Sequence, residues 1–397
     1  MNIWSDCPCL PLTEVLSFIV DNRGKTVPVS EGGPHQLIAT NCIRNETLYP
    51  VYEKVRYLSE ETYQTWFRSH PLPGDIIFVC KGTPGRTCIA PDPVDFCIAQ
   101  DMIALRANGS IIYNRYLLTV LRSRNIQKQI TNTSVGDVIP HFKKQFLDQI
   151  IIPIPPMDLQ RRIGDMYFSF SLKEENNKRI NDNLLQQMES LYKAWFKEYV
   201  PFGGQCPPDW KKTDIYSIAN IIYGAPFASK LFNTDGDGLP IIRIRDLKEQ
   251  AFVTYTTEQH PKGHLIKPGD IVVGMDGEFR PYIWGNTQAW LNQRVCIFVN
   301  KRPKGKAFVF FTIKPLLYQI EQTQVATTVI HIGKKDYDAF EFLLPDTDTL
   351  DQFDSITAPM IDQIVVNCLE NKRLAEMRDT LLPRLMSGEL DVSDIAL

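Results

Sequence analysis

The feature that most constrains this chain is a duplication with a period of about half its length. Pro73-Gly74-Asp75-Ile76 repeats as Pro268-Gly269-Asp270-Ile271, and each opens an apolar run, Ile76-Ile77-Phe78-Val79 and Ile271-Val272-Val273. Ile98-Ala99-Gln100-Asp101 matches Leu291-Asn292-Gln293-Arg294 at the border of a second strand-like stretch. His141-Phe142-Lys143-Lys144 resembles His331-Ile332-Gly333-Lys334-Lys335, and an apolar run ending in proline follows each: Ile150 to Pro153 and Phe342 to Pro345. Asn177-Lys178-Arg179 matches Asn371-Lys372-Arg373. Five matches keep one order at an offset of 190 to 195 residues, so the chain of 397 residues contains one unit twice.

The repeated Pro-Gly-Asp-Ile has a structural meaning. Pro-Gly sets a tight turn, Asp tolerates its exit, and a buried strand follows. It therefore speaks for architecture and does not make Asp75 or Asp270 catalytic. In the first unit Leu37 to Thr40, Ile76 to Cys80, Cys97 to Leu105 and Gln149 to Ile154 read as strands, and Tyr113 to Ile130 as a helix. The second repeats this with Pro240 to Ile244, Ile271 to Gly274, Val295 to Asn300 and Phe340 to Leu344, and a helix from Ala307 to Gln322.

After each β-rich stretch the pattern changes to a helical one. From Met157 to Phe196 apolar residues recur three and four apart, at Ile163, Met166, Phe170, Ile180, Leu184, Leu191 and Ala194. From Thr349 to about Leu385 they recur at Phe353, Ile356, Met360, Ile364, Leu374, Leu381 and Leu385, with Pro359 expected to break or kink the helix. Each helix either packs on its own domain or pairs antiparallel with the other, and the second arrangement is favoured. Polar residues interrupt both stripes, the Asn-Lys-Arg of each copy among them, and polar groups at a seam fix register. A helix of ~35 residues is about 50 Å long, against ~34–36 Å between successive major-groove faces on one side of a duplex. The fold class is thus α+β: two mainly β domains, each followed by a long helix, with the helices forming an antiparallel coiled coil.

Composition limits function. The 43 Lys and Arg against 46 Asp and Glu exclude a uniformly basic nucleic-acid coat but leave room for local basic patches. Nine scattered cysteines without a C-x-x-C pair read as reduced thiols, and the N-terminus lacks the basic flank and apolar core of a signal peptide. A cytoplasmic protein without membrane spans is expected. No Asn/Asp-Pro-Pro-aromatic tetrapeptide of a methyltransferase and no G-x-x-x-x-G-K-[ST] loop is present, so no catalytic residue, metal site or cofactor is assigned to this chain. Asp270, Asp276 and Glu278 with Arg280 only loosely resemble a metal-dependent nuclease cluster.

Cations on loops suit DNA, since Arg reads guanine bidentately and Lys and Arg neutralise phosphates. The candidates in the first domain are Arg23, Lys25, Arg44, Lys81, Arg86, Lys143 and Lys144. In the second they are Lys230, Arg243, Arg245, Arg280, Lys334 and Lys335, with Tyr223, Phe227, Tyr282 and Trp284 as possible flanks.

With these residues assembled, the chain resembles the specificity subunits of type I restriction-modification systems. Arg23-Gly24-Lys25-Thr26-Val27-Pro28 is similar to the R-G-K-T-P opening of their target-recognition domains, with Val27 inserted. Tyr223 to Lys230, Ile242 to Leu247, Pro268 to Arg280, Leu291 to Cys296 and the closing Leu381 to Leu390 are similar to that family as well. The resemblance implies target-recognition domains at 1–157 and 201–347, spacer helices at 158–200 and from 348 into the tail at 397, and a non-catalytic subunit that reads a bipartite double-stranded DNA target. It implies as partners two methyltransferase subunits docked on the helices, and restriction subunits in the full complex. S-adenosylmethionine, ATP and Mg are then expected on those partners. The alternatives are a nuclease using Asp270, Asp276 and Glu278, or a scaffold that binds no DNA.

Overall fold

A computed structural model describes residues 2–22, 24, 26–134, 136, 140–323, 330–387 and 389. It divides into two compact units. The first takes the chain up to Glu175 together with the residues from Arg373 on, and the second is Asn176–Lys372.

The first unit is built on an antiparallel four-stranded sheet in the order Leu16–Val20, Met102–Ala107, Ile76–Val79, Thr87–Ile89. The second has the same order in Ala219–Tyr223, Val295–Asn300, Ile271–Gly274, Pro281–Ile283. Ile76 faces Leu105 across the one sheet as Ile271 faces Phe298 across the other. The central strands are fully buried β-branched runs, which explains why both read clearly from sequence. A smaller sheet places Phe96–Cys97 parallel to His35–Leu37, and Ala289–Leu291 parallel to Leu239–Ile242. Here the second unit is larger, with Phe232–Asn233 and Leu265–Ile266 added at the sheet edges.

The Pro-Gly-Asp turns act as expected. Gly74 and Gly269 both have φ +86°, a conformation glycine adopts without steric cost. The Asp75 carboxylate accepts the Leu72 N–H at 2.8 Å, and Asp270 accepts the Lys267 N–H at 2.7 Å. Asp75 also receives two bonds of 2.9 Å from Arg106.

Several sequence expectations need correction. The single helix expected over Tyr113 to Ile130 is two, Asn114–Leu121 and Arg124–Thr133, because Ser123 caps the second and Arg122 is tied to the Thr47 and Thr87 carbonyls. The strand expected over Cys97 to Leu105 is interrupted by a turn before Met102. Thr347–Met386 is helical throughout, so Pro359 does not break it. Pro359 and Ser355, whose carbonyl loses its donor, lie on the exposed side, where water can replace the missing bond.

The first long helix, Met157–Phe196, runs through the division at 175. Within each unit the two long helices pair antiparallel. In the first, Glu174 meets Arg378, while Ile163 and Tyr167 join the core that holds Met386. In the second, Asn177 meets Asn371, Asn181 meets Asn367, and Phe196 packs on Phe353, so one number falls as the other rises. The helices also cover their own domains: Met188, Tyr192, Phe196, Phe353 and Ile361 share one core with Phe298 and Phe308. The expected apolar stripe is only partly correct. Ile180 and Ile356 face solvent, and the buried face of the first helix includes the polar Gln160, Ser171, Glu174, Asn177 and Asn181 beside Ile163 and Tyr167.

Candidate nucleic-acid interface

In the second unit, loop segments at the strand ends are tied by backbone hydrogen bonds. Arg294 gives its carbonyl to the Met275 N–H at 2.8 Å, and Met275 gives its own to Ile332 at 2.9 Å. Gly277 donates to Ile330 at 3.0 Å, Asn292 to Ile242 at 3.3 Å, and Gln293 to Ala225 at 2.9 Å. The backbone passes so close at Gly224 that a Cβ there would lie 1.9 Å from the Asn292 carbonyl oxygen. The first unit repeats the core of this knot: Cys80 donates to Asp101 at 2.7 Å, Phe142 to Cys80 at 2.7 Å, and Gly82 to Pro140 at 3.0 Å. His141 faces Lys81 across an isolated bridge, as His331 faces Asp276.

This knot carries several of the cations predicted from sequence. Lys81, Arg86 and Lys143 are exposed around it in the first unit. Lys144 pairs with Asp21 at 3.2 Å, and Arg44 with Glu53 at 2.9 Å. Arg23 and Lys25 lie outside the described residues. In the second unit Lys230, Arg245 and Lys335 are exposed. Lys334 pairs with Asp338 at 3.0 Å, and the Tyr216 hydroxyl and then Lys334 hold the Asp338 carboxyl below its ordinary range.

Two predicted cations are half-buried and already hold partners in the fold. Arg243 bonds Thr254 and lies 3.6 Å from the buried Asp246. Arg280 is clamped by Glu321 and lies 5.7 Å from the centre of the Tyr318 ring. The Arg280 hydrogen bond holds the Glu321 carboxyl below its ordinary range. The aromatic flanks are also corrected: Trp284 and Phe227 are buried core residues, and Trp284 donates to the Thr287 carbonyl at 3.0 Å.

The sequence reading missed two further residues, His331 and Arg294, which gather at Asp276. His331 Nδ1 lies 2.6 Å from Asp276 Oδ1 and 3.0 Å from the Met275 carbonyl, two acceptors that place its proton on Nδ1. Arg294 Nη1 is 3.0 and 3.1 Å from the two ring nitrogens, so it lies over the ring face and not in its plane. Arg294 Nε is 3.8 Å from Asp276. Arg294 has φ +71°, unusual for a side chain with a Cβ, yet it is exposed. The available signal was the last position of the repeated tetrapeptide, Asp101 in one copy and Arg294 in the other.

The carboxylates considered for a nuclease have other roles: Asp270 caps its turn and Asp276 holds His331. Among the described residues no group of three or more His, Cys, Asp or Glu side chains is arranged to hold a metal.

The type I restriction modification DNA specificity domain matches residues 34–186 and again 207–374. The chain belongs to that family. Its two domain matches follow the duplication, and its role is DNA specificity, a recognition role and not a catalytic one. It is 34% identical over 182 residues to the type I restriction enzyme EcoBI specificity subunit of Escherichia coli, a match covering 46% of this chain and 38% of that one. It is 21% identical over 343 residues to the MjaIX specificity subunit of Methanocaldococcus jannaschii, covering 81% of this chain and 79% of that one. The crystal structure of the type I restriction-modification S subunit from M. genitalium shares the fold, with a TM-score of 0.55, 15% identity and 96% of each chain covered. No helix among the described residues is long and apolar enough to cross a membrane.

Proposed function

We propose that this chain is the DNA-reading subunit of a type I restriction-modification complex, each unit recognising one half of an interrupted double-stranded target. The observation that carries this reading is the loop knot, built twice with the same backbone bonds and with different side chains at its surface. A backbone held by its own hydrogen bonds lets the exposed positions vary, which is what a reader of two unlike half-sites needs. The exposed cations Lys81, Arg86, Lys143, Lys230, Arg245 and Lys335 are assigned to the DNA face, phosphates included. Arg44, Lys144 and Lys334 stay in this set through their exposed edges. Arg243 and Arg280 act by shaping the loops.

The long helices set the gap between half-sites and dock two methyltransferase subunits. Support comes from Ile180, Ile356, Val366 and Met377, large apolar side chains exposed on these helices. S-adenosylmethionine, ATP and Mg act on the methyltransferase and restriction subunits, and the complex works in the cytoplasm. Sequencing methylated adenines in cells carrying the intact system tests the reading. A bipartite asymmetric motif is expected. Methylation without sequence preference, or a purified complex whose DNA binding shows none at any salt concentration, overturns it.

A further inference from the structure

The two knots differ chemically at a pair of matched places. Asp101 and Arg294 occupy one of them, each giving its carbonyl to the residue that follows the central strand, at 2.7 and 2.8 Å. Lys81 and Asp276 occupy the other, each facing a histidine across an isolated bridge. Where the first unit has Lys81 and Asp101, the second has Asp276 and Arg294, so the charges are exchanged while the backbone bonds are retained.

In the second unit the arginine is held for use. Its Nη1 lies against the His331 ring and its Nε stands 3.8 Å from Asp276, beyond hydrogen-bond reach. Nε thus keeps only a loose ion pair with Asp276, and with Nη2 it forms the edge of the guanidinium that carries two parallel donors. That edge matches the two acceptors, O6 and N7, that guanine presents in the major groove. The side chain is 53% exposed, on a left-handed backbone in the turn before Val295–Asn300.

From this geometry we infer that positions 101 and 294 are base-reading positions, with Arg294 taking a guanine in one half-site and Asp101 a base that offers an amino donor, as cytosine does, in the other. Asp276 and His331 are positioning residues for Arg294. The exchange of charge argues against a phosphate clamp. A clamp shared by the two units needs a cation at both places, and a carboxylate at 101 repels phosphate. The inference rests on the recognition reading above and narrows it to two residues.

The test uses the full chain assembled with its methyltransferase subunits. Binding is measured on the wild-type target and on every single-base variant of it, for the wild type, Arg294→Ala, Arg294→Lys and Asp101→Ala. Arg294→Ala should lose roughly 5- to 150-fold discrimination at one guanine position of one half-site and leave the other half-site unaltered. Arg294→Lys should lose discrimination at the same position, since a single ammonium does not reproduce the paired donors. Asp101→Ala should act on one position of the opposite half-site. Retained discrimination in the untouched half-site shows that each variant is folded. Unchanged discrimination overturns the inference. So does a uniform loss across all sequences with a shallower salt dependence, the signature of a phosphate contact. A wild-type complex without any preferred target overturns the recognition reading itself, and this inference with it.

Discussion

The two units share a backbone plan and hold it together with different chemistry. At the helix seam the first uses an ion pair, Arg378 to Glu174 at 3.0 Å, both largely buried, with Arg378 6.0 Å from the centre of the Tyr167 ring. The second uses amides: Asn177 donates to Asn371 at 2.8 Å, and Asn367 to Asn181 at 2.8 Å. Beneath the knot, a helix of the first unit reaches the loop through Gln127, which donates to the Gly85 carbonyl at 3.0 Å. In the second unit Glu321 does so, clamping Arg280 and accepting the Phe279 N–H at 3.3 Å. Backbone hydrogen bonds specify the repeated skeleton, and side chains only need to satisfy it. The same fold therefore tolerates a glutamine or a glutamate at one place beneath the knot, and an arginine or an aspartate at its reading surface.

If the units read independently, exchanging one should alter half of the target. Replacing residues 1–157 with the corresponding domain of a relative is expected to change one half of the methylated motif completely and leave the other half and the gap in place. A change in both halves, seen by sequencing methylated adenines, would mean that the units are not separate readers. A smaller effect tests the seam. Glu174→Leu should cost about 3 kcal/mol in denaturant unfolding, because it leaves Arg378 largely buried without its buried carboxylate, next to the exposed Asp379. Adding Arg378→Leu should recover most of that loss. Smaller still, Gly224→Ala should cost about 2 kcal/mol, because the new methyl group meets the Asn292 backbone at 1.9 Å and no side chain can move aside. Comparing motifs should show damage confined to one half-site.

Much of the fold was legible because the duplication cross-checks every element. The runs Ile271 to Gly274 and Val295 to Asn300 and the helix Met157 to Phe196 were read with their observed limits, since each is long or uniformly apolar and ends at a clear break. The seam was not legible in the same way. Hydrophobic periodicity pointed to Ile180 and Ile356, while pairing buries Asn181 and Asn367, whose polar side chains satisfy each other only across two helices. The binding face was legible as loops but not as side chains. Arg280 and Arg243 looked like free cations until Glu321 and Asp246, distant or unremarkable in sequence, came beside them. Arg294 was hidden inside a motif read only as a strand border, and its left-handed backbone carries no sequence signature outside glycine and asparagine.

The smallest effect separates the two clasps by pH. Glu321 sits below its ordinary carboxylate value, chiefly through the Arg280 hydrogen bond, whereas Gln127 does not titrate. A carboxyl lowered in the folded state contributes stability above its unfolded value, and that contribution is lost as pH falls through the folded value. Acidification below the ordinary carboxylate range should therefore loosen residues 275–280 before residues 81–86, by about 1 kcal/mol or less, as expected of a partly exposed ion pair. Amide hydrogen exchange between pH 3 and 7 measures both loops at once. In Glu321→Gln the acid-dependent difference should vanish, because the amide that replaces the carboxylate does not titrate yet keeps an acceptor for the Phe279 N–H. An undiminished difference would place its origin outside the Arg280 clasp.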